Sequence, residues 1–262
     1  MEVNMVRVIR PEFKDGKYDY FGYKEGMTNY LLPLELIYRN TLPRGSSIFK
    51  RLASGTLTPA DLGLDHYPQE GEKLSHPYFD VTTKLESTDR PLSWKEAAQI
   101  SGLSVPGMSS VQNLLGRVNH LITNVAINSG FDDNGDGKIE VAVNPLGELM
   151  VVDFMGTFDE CRLTFNGEQV SKEPVRQYMT DIGWMAKLTE AKARAKAEGT
   201  SNWKQFVTSP PPLIPASLIE IVSDMYTGGT NKIYERIRHR KIFDSPPLEE
   251  TVERYRKFRL QV

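Results

Sequence analysis

The sequence predicts an α+β protein, with strands early and in the middle of the chain and helices late. Three observations carry this reading. Residues 138–143 (KIEVAV) and 148–153 (ELMVVD) alternate apolar and polar side chains on either side of Asn144-Pro145-Leu146-Gly147, the pattern of a β-hairpin. Val111, Leu114, Leu115, Val118, Leu121, Ile122 and Val125 recur at helical spacing and form one apolar face. From Pro174 onward the chain reads as successive helices.

The elements follow in order. Residues 5–9 (MVRVI) alternate and stop at Arg10-Pro11, a short strand ended by a breaker. Asp15-Gly16 supplies a turn, and residues 34–38 (LELIY) make a second strand that runs into Arg39-Asn40. Residues 43–47 are a polar loop. Residues 53–78, rich in Gly, Pro, Asp and Ser and without a period, read as a long surface excursion. Ser93 with Glu96 three residues on is a capping box for a short helix, and the amphipathic helix comes next. Pro174 starts a long helix that ends near Gly199. Pro210-Pro211-Pro212 is a linker, and two further helices lie on either side of Gly228-Gly229. No internal repeat is present.

The composition excludes several function classes. At 262 residues the chain suits one large domain or two small ones. The net charge of −2 offers no whole-chain attraction to nucleic acid or to a membrane surface. The last 32 residues are locally basic, which a solvated helix face accounts for. A single cysteine, Cys161, rules out an internal disulfide framework and multi-cysteine metal sites, and points to the cytoplasm. There is no run of 18 apolar residues and no signal-like N-terminus. His66, His76, His120 and His239 are scattered, without ligand spacing.

Four stretches could carry chemistry. Residues 132–140 (DDNGDGKIE) begin like a calcium-binding loop through Asp132, Asn134 and Asp136, but Val143 stands where a closing Glu belongs. A polar turn entering a strand is the competing reading. In a third reading, Glu140 and Asp153 on adjoining strands form a carboxylate pair suited to Mg²⁺ shared with nucleotide phosphates. Arg39-Asn40, Gly45-Ser46-Ser47 and Lys50-Arg51 make a phosphate cradle of cations, hydroxyls and turn N–H groups. Residues 79–91 bring Lys84, Glu86 and Asp89, either lining a polar pocket or forming plain loop, and residues 157–163 add Arg162 and acids beyond Asp153.

In this order the four stretches resemble the phosphoribosylaminoimidazole-succinocarboxamide synthase (SAICAR synthetase) family. The resemblance rests on Arg39-Asn40, Gly45-Ser46 and Lys50-Arg51; on Pro77-Tyr78-Phe79, Lys84-Leu85-Glu86 and Asp89-Arg90-Pro91; on Asp136-Gly137-Lys138-Ile139-Glu140; on Asp153, Asp159 and Arg162-Leu163; and on Arg176-Gln177. It implies a central antiparallel sheet with flanking helices and a helical C-terminal region. Residues 1–35 would be a strand entry left from an N-terminal lobe, 36–200 the substrate-binding domain and 201–262 a helical extension.

The implied reaction is an ATP-dependent ligation of purine biosynthesis. It joins carboxyaminoimidazole ribotide to L-aspartate through an acyl phosphate, giving SAICAR, ADP and phosphate. By the same resemblance Arg39, Ser46 or Ser47, Lys50 and Arg51 hold substrate anions, with Asp89, Arg162 and Arg176 also contacting substrate. Lys84, Asp136 and Lys138 are the catalytic candidates, and Glu140 and Asp153 hold Mg²⁺ with ATP. The family's β-rich lobe, with a Gly-Lys loop over the ATP phosphates, normally precedes the segment matching MVRVIRP. The expectations are therefore a truncated sequence, a lobe supplied by a separate polypeptide, or a homologue that binds a ribotide without ligating it. A homo-oligomer is a further expectation, and a calcium-binding protein using residues 132–140 is the reading from outside the family.

Overall fold

The computed structural model describes residues 5–43 and 45–261. Its strands and helices begin with β1 (Glu12–Lys14), β2 (Lys17–Asp19), β3 (Tyr30–Leu31), β4 (Leu34–Leu42), α1 (Ser47–Ala53) and β5 (Glu72–Thr83). The middle holds α2 (Trp94–Ser101), α3 (Val105–Asn128), β6 (Asp133–Val143), β7 (Leu149–Val152), β8 (Cys161–Phe165) and β9 (Glu168–Val170). The chain then continues as α4 (Glu173–Asp181), α5 (Trp184–Ala197), α6 (Ala216–Arg238) and α7 (Leu248–Arg259). No helix among the described residues is long and apolar enough to cross a membrane. The fold class is the expected α+β with an antiparallel sheet and flanking helices.

The chain divides into two compact units. The first comprises residues through Glu12, Asp19–Thr123 and Asn134–Cys161. Its sheet has β4 between β5 and β6, with β3 and β7 also paired to β6, every pairing antiparallel. Leu34, Leu36 and Tyr38 on β4 are fully buried, and Val111, Leu115, Val118 and Ile122 give α3 its apolar face. Leu121, expected on that face, is 53% exposed. The helix meets the sheet through a reciprocal amide pair. Asn40 Nδ2 donates to Asn119 Oδ1 (2.9 Å) and Asn119 Nδ2 donates to Asn40 Oδ1 (2.8 Å).

The second unit comprises Phe13–Tyr18, Asn124–Asp133 and Arg162–Val262. Here β8 and β9 form a hairpin in which Leu163 faces Val170, and α6 packs on α7. Leu218, Ile221 and Met225 of α6 and Leu248, Val252 and Tyr255 of α7 are buried.

Four sequence expectations need correction. Residues 5–9 form no strand. Arg7 makes an isolated bridge to Tyr30, and Met5 and Val8 are 83% and 46% exposed. The excursion over residues 53–78 contains structure: a 3-10 turn at Pro59–Leu62 with a full Thr58/Asp61 capping box, and then half of β5. Leu57, Leu62 and Leu74 there join Leu42, Ile48 and Leu52 in a small core, a long-range event invisible to local periodicity. The long helix from Pro174 is two helices, broken where Gly183 takes φ +77°, a left-handed conformation that costs glycine little. Gly228-Gly229 lies inside α6 rather than between helices, because Gly228 packs against the Pro246 carbonyl at the entry to α7.

Candidate functional site

The pleat of the first unit's sheet brings the charged candidates together. Directly opposed residues of antiparallel strands share a face, and alternate residues along each strand do too. Arg39 stands opposite Asp136 on β6 and Tyr78 on β5. Two residues back along β4, Ile37 stands opposite Lys138 and Asp80. Arg39, Asp80, Asp136 and Lys138 therefore stand on one face. The strand spacing separates the backbones of Asp80 and Lys138 by roughly 10 Å.

The first cluster is built on Arg39, which is 4% exposed. Its Nη2 donates to Asp80 Oδ2 (3.1 Å) and to Ser47 Oγ (3.2 Å), and its Nη1 donates to Asp136 Oδ2 and Ser46 Oγ (both 3.4 Å). Arg51 of α1 reaches the same Asp80 oxygen at 2.7 Å. Burial works against the Arg51 cation, but Asp80 outweighs it and holds the pKa above its ordinary value. The two serines are not equivalent. Ser46 is buried and caps α1 by accepting from Ile48 N, whereas Ser47 is exposed. Lys50, on the same helix, is exposed.

The second cluster lies farther along β6. Lys138 Nζ approaches Glu35 Oε1 (2.8 Å), Glu140 Oε1 (3.3 Å) and Glu160 Oε2 (3.4 Å). Lys84, just past β5, meets Glu140 Oε1 at 2.5 Å. Partial burial opposes the Lys138 ammonium, but Glu35 and the other carboxylates prevail and raise its pKa. Burial raises the Glu35 carboxyl, with Lys138 pulling the other way. Asp153 is exposed at the end of β7 with φ 64°, and it lines one small cleft with Lys138, Glu140 and Glu160. Two ammonium groups face four carboxylates here, a surplus of negative charge that suits a divalent cation.

Asp89 is exposed on the loop after β5, within electrostatic reach of Glu35 in the second cluster, whereas other candidates fall elsewhere. Glu86 is engaged by Arg90 (3.0 Å) and by the Tyr20 hydroxyl (2.7 Å), so it organises that loop. Arg162 and Arg176 belong to the second unit, where both approach Glu173 Oε2, at 3.2 and 3.7 Å. The acidic stretch 132–140 is corrected from a calcium loop to a strand entry. Asp132 accepts from Gly167 N, Asn134 donates to Tyr38 Oη and Thr123 Oγ1, and Asp136 meets Arg39. Among the described residues no group of three or more His, Cys, Asp or Glu is arranged to hold a metal. A cation at Glu140 and Asp153 would therefore complete its shell from water or phosphate oxygens.

Sequence reasoning assigned no role to Asp80, Glu35 or Glu160. Asp80 had a signal, since the alternation in residues 78–82 (YFDVT) marks a strand and puts Asp80 on the face of Tyr78. Glu35 and Glu160 had none beyond proximity to strands already chosen.

Against known proteins, residues 27–191 match the family model described as SAICAR synthetase. The chain is 42% identical over 257 residues to a putative phosphoribosylaminoimidazole-succinocarboxamide synthase of Archaeoglobus fulgidus, covering 98% of this chain and 72% of that protein. It is 36% identical over 223 residues to the phosphoribosylaminoimidazole-succinocarboxamide synthase of Thermoplasma acidophilum, covering 82% and 70%. In fold it is similar to the Saccharomyces cerevisiae SAICAR synthase solved with SAICAR, with TM-score 0.54 and 19% identity, over 82% of this chain and 62% of that one. The chain thus spans less than two thirds of the yeast enzyme's length. The family match over most of its residues, together with 42% identity to the Archaeoglobus relative along nearly the whole chain, makes this chain a member of the SAICAR synthetase family.

Proposed function

We propose that the chain carries the substrate- and metal-binding face of an ATP-dependent carbon–nitrogen ligase of purine biosynthesis. The reaction joins carboxyaminoimidazole ribotide to L-aspartate and yields SAICAR, ADP and phosphate. The observation that carries the reading is the pair of clusters on one sheet face, one centred on arginines and hydroxyls and one on lysines and surplus carboxylates.

A free carboxylate is a poor acyl donor because its leaving group would be oxide. A carboxylate oxygen of the ribotide attacks the terminal phosphorus of ATP, and ADP leaves. The aspartate amine then attacks the acyl carbon, phosphate leaves with the C–O bonding pair, and the nitrogen gives up a proton. Lys84 and Lys138 supply fixed positive charge where the transferred phosphoryl passes, preorganised by Glu35 and Glu140. Glu140 and Asp153 line one cleft with the right surplus of charge, so they fit Mg²⁺, which when bound would neutralise nucleotide phosphate oxygens. At the other end, Ser47 and Arg51 offer a hydroxyl and a partly exposed guanidinium to the ribotide phosphate, with Arg39 behind them.

The test is phosphate release from ATP by the purified chain. Release should require Mg²⁺, aspartate and the carboxylated ribotide together, and Glu140→Gln should weaken Mg²⁺-dependent nucleotide binding at least about tenfold. No turnover together with no ribotide-dependent thermal shift would overturn the ligase reading. Unaltered nucleotide affinity in Glu140→Gln would overturn the metal assignment.

A further inference from the structure

We propose that Asp80 is a specificity-determining residue that stops the ribotide-phosphate end of the site from acting as a general anion trap. This rests on the reading of the arginine cluster as the phosphate end of a ligase site. Asp80 is 3% exposed, and one of its oxygens, Oδ2, receives both Arg39 Nη2 and Arg51 Nη1. Asp136 approaches Arg39 from the neighbouring strand. Two guanidinium groups are thus matched by two carboxylates, and these four side chains carry no net charge between them.

That balance has a chemical consequence. A cradle with net positive charge in a half-buried site attracts any small anion, including the inorganic phosphate that the ligation itself releases. A neutral cradle gains little from charge alone. It favours an anion whose oxygens fit the hydrogen-bond donors on its open side, namely the Ser47 hydroxyl and the part of the Arg51 guanidinium that Asp80 and Tyr78 do not engage. Asp80 also ties β4, β5 and α1 together through one oxygen, so the donors keep a fixed spacing. Discrimination between a ribotide phosphate and free phosphate is the product of both effects.

The experiment is calorimetric titration of the full chain with inorganic phosphate, beside steady-state kinetics in the ribotide. In Asp80→Asn, inorganic phosphate should bind at least about tenfold more tightly, because one opposing charge is gone. The ribotide KM should not improve in step, because the donors lose their common anchor. A merely destabilised site would weaken both ligands together. The proposal is overturned if phosphate affinity is unchanged or weaker, or if the ribotide KM falls by the same factor. Arg51→Gln, which removes one cation from the same cluster, tests the idea with opposite sign, and a phosphate affinity equal to that of the wild type there would also overturn it. If the wild-type chain turns over no ribotide while Asp80→Asn still tightens phosphate, the ligase reading fails and the charge-balance role of Asp80 stands.

Discussion

Gly137 lies directly opposite Tyr38 across the β4–β6 ladder, and a Cβ at position 137 would collide with the Tyr38 hydroxyl and ring. Tyr38 is fully buried, with its hydroxyl 3.3 Å from Cys161 Sγ and 3.1 Å from Asn134 Nδ2. The glycine between Asp136 and Lys138 therefore leaves room for the tyrosine ring. The two charged neighbours face one way while the ring fills the space behind them.

Gly137→Ala should accordingly lower stability by about 2–3 kcal/mol, the cost of overpacking a site that cannot relax. Urea denaturation would show a lower midpoint with little change in slope. Tyr38→Phe should not restore the loss, because ring carbons as well as the hydroxyl occupy the space. Full stability in Gly137→Ala would contradict this packing.

The Asn40–Asn119 amide pair predicts a specific non-additivity. Either single alanine variant removes both bonds of the pair and leaves the other amide with fewer partners, at a cost of about 2 kcal/mol. The double variant should cost clearly less than the sum, since the interaction between the two amides is lost only once. Additive losses in a denaturation cycle would show that the two amides act independently. Asn40 points away from Arg39 toward α3, so the ribotide KM of a folded Asn40→Ala protein should change little.

His66 predicts a pH dependence with a definite sign. Its Nδ1 is 2.9 Å from Asp65 Oδ1 and its Nε2 is 2.8 Å from Glu72 Oε1. The hydrogen bond to Asp65, followed by that to Glu72, raises its pKa above the ordinary 6.5. A raised histidine contributes stability that is fully present below about pH 6.5 and lost as pH rises through the folded pKa. The carboxylates shift downward, Asp65 chiefly through His66 and Glu72 chiefly through the Gln69 N–H, so their contribution is lost only in acid. The melting-temperature gap between wild type and His66→Gln should therefore narrow from about pH 6 to about pH 8.5. A gap independent of pH would remove the ion pair from the account.

Local chemistry alone determined much of this protein. The amphipathic helix α3, the β6–β7 hairpin and the cap at Ser93 each arise from residues close in sequence, whose periodicity or side-chain reach is sufficient to define them. The resemblance to the family was legible for the same reason, since each stretch that carries it lies within a single short segment. What only the tertiary structure decided depends on residues far apart. Half of β5 became a strand because the bulged end of β4 offered it a ladder and Leu42, Ile48 and Leu52 offered Leu74 a core. The register of β4 against β5 and β6 turned separate motifs into one face. In that face Asp80 and Asp136 together balance Arg39 and Arg51, while Glu35 and Glu160 join Lys138. A row of side chains across three strands exists only once the strands pair. The charge balance of the site, unlike its residue types, is therefore a property of the fold.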